Sequence, residues 1–219
     1  DVCINYDKAY FAEKNLPLPQ SLQDLTNPAY RGLLVVTNPA VSSPGLAFLT
    51  LTVAEFGDGY LGYWQALVDN GLVVVNDWET AYYTNFSGSS GKGPQPMVLS
   101  YASSPAAEVI FASTPLTESP TASIVAPGTC FRQLEFVGIL KGTQQRALAE
   151  KFVDWMLSVP FQEDVPGQMF VYPVNSDAVL PEAFVKYAQV PQQPVIGDPQ
   201  LLAAQRDAWI DAWTKVVIR

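Results

Sequence analysis

Trp78 stands directly after Asn76-Asp77, where an apolar run ends and a helical pattern begins. An indole at such a turn either completes a core or stands at a crevice mouth and stacks a flat ligand. Tyr101 ends another apolar run, before Ala102-Ser103-Ser104-Pro105, and carries the same two readings. Ser42, Ser43 and Ser104 are read as helix caps or as oxygen contacts to a ligand, and a cap can do both. Asp77, Glu79 and Glu108 are candidate acids, but nothing pairs them with a nucleophile or a metal-ligand pattern. Tyr82-Tyr83 can be read as a phenolate metal pair, but it lies inside a helical pattern where adjacent residues point about 100° apart, so the expectation is one ring toward the core and the other toward the surface. Gly91-Lys92-Gly93 lacks the spacing of a phosphate-binding loop and reads as a linker.

Composition removes further chemistries. The chain has no His, which excludes Ser-His-Asp and Cys-His catalysis and imidazole metal sites. Its two cysteines, Cys3 and Cys130, are too few for a structural zinc site. They are either two small buried hydrophobes or one disulfide of an exported protein. With 12 Lys+Arg against 21 Asp+Glu, the net charge of −9 disfavours nucleic acid and anionic membranes as partners. The 219 residues are 12% aromatic and only 15% charged, which fits one large or two small folded domains rather than disorder. No apolar run reaches the ~18 residues that span a bilayer.

The elements that would position these residues alternate. Short buried strands are expected at 33–37, 72–75, 97–101 and 123–127, and a longer one at 131–140. Helices are expected at 46–56, 59–68, 78–86, 104–111 and 144–157. A last helix starts at Asp198-Pro199, with Leu202, Trp209, Trp213 and Val216 facing inward. Ser43-Pro44 and Ser104-Pro105 read as caps followed by a proline in the first turn. The alternation predicts an α/β fold with a mostly parallel sheet flanked by helices. Ligands of open α/β sheets bind where strand C-termini feed helix N-termini, which here means Ser42-Ser43, Asp77-Trp78 and Ser104-Pro105. Residues 1–6 already read as a buried strand, so the expectation is a piece of a longer protein.

Taken in order, the segments YDKAYF, LPQSLQDLTNPAYRGLLVVTNPAVSSPGLAFL, VNDWETAYYTNF, MVLSYASSPAAE, FVYPVN and LLAAQRDAWIDAWTKVV resemble the periplasmic thiamine-binding proteins of ABC importers. The resemblance runs from about Asn5 to the C-terminus and implies a two-lobed solute-binding fold. It implies that residues 1–7 are a first hinge-crossing strand, 8–128 lobe two, 129–140 a second crossing strand, and 141–219 the C-terminal helical part of lobe one. A preceding lobe-one segment is then missing. Trp78 matches the family's cleft Trp, and Tyr101 and Ser104 match its Ser-Tyr-x-x-Ser-Pro-Ala motif. Ala107 stands where that motif has a second Tyr, and Phe170 where the family has Trp.

The implied ligand is thiamine or a thiamine phosphate, stacked by Trp78, Tyr101 and Phe170 and contacted by Ser42, Ser43 and Ser104. No cofactor and no metal are implied. The implied partners are the permease subunits and the missing lobe-one segment, with self-association of the chain if that segment is absent. The implied location is periplasmic or extracellular, with an anchor possible ahead of Asp1. The two crossing strands of this fold run side by side, which brings Cys3 and Cys130 within reach of a disulfide. Two alternatives stand. One is a receptor for another small cation or Fe³⁺, although the iron-binding relatives carry adjacent tyrosines where this chain has Tyr101-Ala102. The other is a pyrimidine-precursor-type enzyme on the same architecture, which would need a reactive thiol in the cleft.

Overall fold

The computed structural model describes residues 1–89 and 92–218. Five strands, β1 (Val2–Asp7), β2 (Leu34–Thr37), β3 (Val73–Val75), β4 (Met97–Tyr101) and β5 (Thr121–Ile124), form one sheet in the order β3-β2-β4-β1-β5. β2 pairs parallel with β3 and β4, while β1 pairs antiparallel with β4 and β5. Four strands therefore point one way and β1 alone runs against them. The α/β sheet is as expected, with one reversed strand inside it.

Alternation along the strands builds two layers. Leu34, Val36, Met97, Leu99, Val2 and Ile4 share the main core with helices α2 (Ser43–Phe56) and α3 (Tyr60–Asp69). Trp64 of α3 lies edge-on to Phe48 and to Trp213, at 5.4 and 5.5 Å between ring centroids. Its indole N–H donates to Thr52 Oγ1, so the buried ring leaves no polar atom unpaired. Val35 and Val98 point the other way, onto Tyr82 of a π-helical turn, Thr80–Asn85, and onto Phe86, which ends it.

The remaining helices are α1 (Lys8–Lys14), α4 (Ser104–Ile110), α5 (Arg146–Met156), α6 (Val159–Met169), α7 (Glu182–Tyr187) and α8 (Pro199–Val217). Asp198 caps α8 by accepting from the backbone N–H groups of Gln200 and Leu201. Trp213 of that helix is fully buried, and Leu202, Trp209 and Val216 are half-buried. α1, α6 and α7 have no counterpart among the sequence expectations; α6 contains Pro166, which reads as a breaker.

Three local expectations are corrected. Residues 132–140 are not a strand: Phe131 alone bridges Val2 and Val195, and no ladder continues beyond it among the described residues. An apolar run becomes a strand only where a second backbone pairs with it. Neither Ser43 nor Ser104 is a side-chain cap. Each lies inside its helix, the cap positions are Ser42 and Ser103, and neither of those makes a side-chain cap bond. The helix expected over 78–86 is mostly the π-helical turn.

Cys3 and Cys130 are joined by their sulfurs, with Cα atoms 4.5 Å apart across a sequence separation of 127. The bond lies buried against Ala102 and fixes β1 to the segment that leaves the sheet at Phe131.

Candidate ligand-binding cleft

The C-terminal ends of β2, β3 and β4 lie side by side, and Asn38 after β2 donates to Asn76 after β3 at 3.2 Å. The chain leaving β3 turns at Asp77, whose carboxylate accepts from the backbone N–H and hydroxyl of Thr80. Those bonds hold the Asp77 carboxyl below its ordinary range and make it a structural cap rather than a reacting acid.

The turn delivers Trp78 beside the end of β4. Its indole N–H donates to Ser100 Oγ at 2.9 Å, and its ring stacks on Tyr82 at 4.8 Å and 18°. Tyr83 lies edge-on to the indole at 5.5 Å, and Tyr101 stands 6.4 Å away. As expected, Tyr82 is buried and Tyr83 exposed. Both nevertheless line the cleft, because the π turn presents adjacent side chains to the same edge of the sheet.

Ser100 and Ser104 share one hydrogen bond at 2.8 Å, and Ser104 Oγ also accepts from the Tyr101 backbone N–H. Ser100 already accepts from Trp78 and is fully buried, so it satisfies its own proton by donating to Ser104. The hydroxyl proton of Ser104 is then free to be donated into the cleft that it lines.

The cleft has a volume of about 940 Å³. Ser104, Glu108 and Phe111 succeed one another along the α4 side at helical spacing. Phe170 closes the far end, edge-on to Phe111 at 5.1 Å. It caps α6 with a left-handed φ of 58°, a region that bulky residues seldom occupy, and this conformation sets its ring against Phe111. Ala107, where the related motif has a second Tyr, also lines the cleft and leaves it wider there.

Burial pushes the Glu108 carboxyl up, against the opposing pull of the Tyr82 and Ser89 hydroxyls beside it. The Tyr82 phenol is raised well above its ordinary value by burial and then by the charge of Glu108. Its hydroxyl is buried with no hydrogen bond of normal geometry. The Tyr101 phenol is raised by burial and by the charge of Glu135. No Lys or Arg is among the described residues that line the cleft.

Of the residues singled out in the sequence, Trp78, Tyr101, Ser104 and Phe170 meet in this cleft. Ser42 and Ser43 do not line it: Ser42 donates to Thr37 Oγ1 at 2.9 Å, and Ser43 is exposed at the start of α2. Phe111 and Glu135 line the cleft and were not singled out. The i, i+4, i+7 spacing of Ser104, Glu108 and Phe111 was the available signal for Phe111, whereas nothing near Glu135 in sequence marks it.

The chain matches the family described as "Bacterial extracellular solute-binding protein" over residues 1–191. It is 32% identical to the thiamine-binding periplasmic protein of Salmonella typhimurium and 31% identical to that of Escherichia coli, in each case over 100% of this chain and 65% of the relative. A solved structure of a periplasmic thiamin binding protein superposes with a TM-score of 0.80 at 28% identity, over 100% of this chain and 64% of the other. The chain thus spans just under two thirds of the length of these relatives.

Proposed function

The chain belongs to the bacterial extracellular solute-binding protein family, and from that premise we propose that it is the extracytoplasmic receptor part of an ABC importer that captures thiamine or a thiamine phosphate. The observation that carries this reading is the wall of Trp78, Tyr82, Tyr83 and Tyr101 beside the Glu108 carboxyl, in a cleft with no basic side chain among the described lining residues. Flat rings give stacking area, and a cation over an aromatic face is drawn to its electron-rich side. Thiamine offers both a heteroaromatic ring and a permanent positive charge. The names of the relatives point the same way.

The division of labour follows the family pattern. Residues 1–7 and 129–140 are the crossings between lobes and 8–128 are lobe two; within 141–219, the exposed α5 fits lobe one, whereas α8 packs Trp213 into the lobe-two core against Trp64 and so departs from the expected assignment. Ligand enters an open cleft against Trp78, Tyr101, Ser104 and Phe170. The lobes then close about the crossings, and the closed form docks on the permease. The bond between Cys3 and Cys130 ties the two crossings together and suits an oxidising compartment such as the periplasm. It also leaves no free thiol for a covalent mechanism, since these are the chain's two cysteines. On this reading the solute is bound and released unchanged, as the description of the family as solute-binding supports.

The deciding experiment is calorimetric titration of the full-length protein with thiamine, its phosphates, a polyamine and Fe³⁺. Saturable binding of a thiamine compound in preference to the others is the expected result. Preference for the polyamine or for Fe³⁺ would overturn the reading, as would turnover of a thiamine compound.

A further inference from the structure

We propose that residues 1–3 and 130–132 form a cross-linked brace that moves as part of lobe two, so that lobe closure bends the chain just after Arg132, within 133–135, and not in the paired part of the crossings. The proposal rests on the two-lobed receptor reading and places the joint within it.

Three consecutive cross-strand pairs build the brace. Val2 and Phe131 exchange both backbone hydrogen bonds, at 2.8 and 2.9 Å. On one side of that bridge Cys3 and Cys130 form a close pair, with Cα atoms 4.5 Å apart and their sulfurs joined. On the other side Arg132 donates from Nε and Nη2 to the two carboxylate oxygens of Asp1, and the Asp1 side chain is only 6% exposed. Cys3 and Cys130 are 1% and 0% exposed, so the folded protein shields their bond from reductants and it serves as a fixed tie, not a switch.

The brace is continuous with the sheet. Val2 and Cys3 stand opposite Tyr101 and Ser100 of β4, and the Asp1 carbonyl accepts from the Ala102 N–H at 2.9 Å. On the far side, Val195 donates to the Cys130 carbonyl and accepts from the Arg132 N–H, both at 2.8 Å. A Cβ on Gly197 would come within 2.9 Å of the Phe131 ring, so glycine lets that ring close down on the returning chain.

After Arg132 the cross-links stop. Among the described residues no backbone hydrogen bond joins 133–139 to another segment, and Leu134, Glu135 and Phe136 are exposed. Bending the brace would break ladder bonds and a charged pair, whereas rotation about the backbone of 133–135 breaks neither, so the joint falls there. The solute cleft straddles it. Tyr101 lies on the braced side and Glu135, three residues past Arg132, on the other, and both line the cleft. Closure about this joint moves Glu135 against an aromatic wall that stays fixed.

The test measures distances between paired spin labels in the full-length protein, attached by chemistry that spares the cysteines. Labels go on the exposed residues Asp58, between α2 and α3, Gln192, beside the segment that pairs with the brace, and Lys151 on α5. We expect the Asp58–Gln192 distance to differ by less than ~2 Å between the free and thiamine-bound protein and Asp58–Lys151 to shorten by more than that, the scale that separates adjustment from rearrangement. A thiamine-dependent Asp58–Gln192 distance overturns the proposal, because the braced crossings would then bend. So does an unchanged Asp58–Lys151 distance while calorimetry shows thiamine bound. Replacing both cysteines with serine and, separately, Arg132→Gln, which keeps the disulfide, should each broaden the Asp58–Gln192 distribution in the free protein; if neither does, the proposed ties are not what holds the crossings. If calorimetry shows no thiamine binding, the thiamine reading falls, and the brace stands or falls on the free-protein variants alone.

Discussion

Trp78 donates its indole N–H to Ser100 Oγ at 2.9 Å, joining the turn after β3 to the end of β4. The bond fixes the rotation of the ring, and Tyr82 stacks on it at 4.8 Å, so the indole is held in place before any ligand arrives. A ring fixed in advance loses little freedom on binding, which makes it an effective stacking surface. Trp78→Ala in the full-length protein should weaken thiamine by ~1–3 kcal/mol, the scale of stacking a heterocycle on an aromatic side chain. The fold should survive, since Tyr82 and Phe86 keep the π turn on Val35 and Val98. Unchanged affinity with lost stability would reduce Trp78 to a core residue.

Phe170 faces the opposite end of the cleft from a left-handed backbone position, in edge-on contact with Phe111. Trp exceeds Phe as a surface for a cation, so Phe170→Trp should tighten thiamine by ~0.5–1 kcal/mol. Competition between variant and natural protein for a fixed amount of thiamine would read this directly. A loss of affinity would mean that the ring at Phe170 only fills space against Phe111.

The bond between Cys3 and Cys130 closes a long stretch of chain, with a sequence separation of 127. Replacing both cysteines with serine should cost ~2–5 kcal/mol of stability in denaturant titrations, because the unfolded chain regains its freedom. Two thiols labelled in the unreduced, denatured protein would show that the bond does not form in solution.

Some of this was legible in the sequence. Met97–Tyr101 is a strand at the expected bounds, because five apolar or small residues run from a proline-ended loop into a helix signal. Asp198-Pro199 starts a helix as its cap chemistry predicts. Residues 131–140 look equally like a strand, yet strand formation depends on a partner backbone, which their own composition does not encode. Trp78, Tyr101 and Ser104 were legible as a site because strand ends that feed helices converge at one edge of an α/β sheet. Ser42 shares that position in sequence, but its hydroxyl is spent on Thr37. Glu108 was visible only as an isolated acid. Its meaning comes from Tyr82, 26 positions earlier, which the fold places beside it.

Glu108 also leaves a signature in stability. Its folded pKa is raised, with Tyr82 and Tyr83 as the neighbouring titratable groups. A carboxyl raised on folding stabilises fully below its unfolded pKa, and that contribution is lost as pH rises through the folded value. At neutral pH the ionised Glu108 therefore costs stability in the unliganded protein. Glu108→Gln should raise the melting temperature at pH ~7, and the difference should shrink below the ordinary glutamate pKa of about 4.3. A difference that stays constant across that range would mean that the carboxyl is solvated.

The helix α5 has no buried residue, and its apolar stripe of Leu148, Phe152 and Trp155 is 64, 53 and 51% exposed. Leu134, Phe136, Val137 and Leu140 add further exposed apolar surface along 132–140. A contiguous apolar patch above a few hundred Å² marks an interaction site. By contrast α8 places Trp213 against Trp64 and is anchored to the core. The longer relatives, of which this chain spans 65%, carry additional chain able to cover such a stripe. The 219-residue chain by itself should then self-associate, with a sedimentation coefficient that rises with concentration. Replacing Phe152 and Trp155 together with serine should abolish the association and change stability by no more than ~0.5 kcal/mol per site, because exposed positions carry little of the folding energy. The same chain should bind thiamine weakly, since one wall cannot enclose a ligand that two lobes bury on closing. A monomer at all concentrations, binding thiamine tightly, would show that the stripe needs no cover and that a single wall suffices.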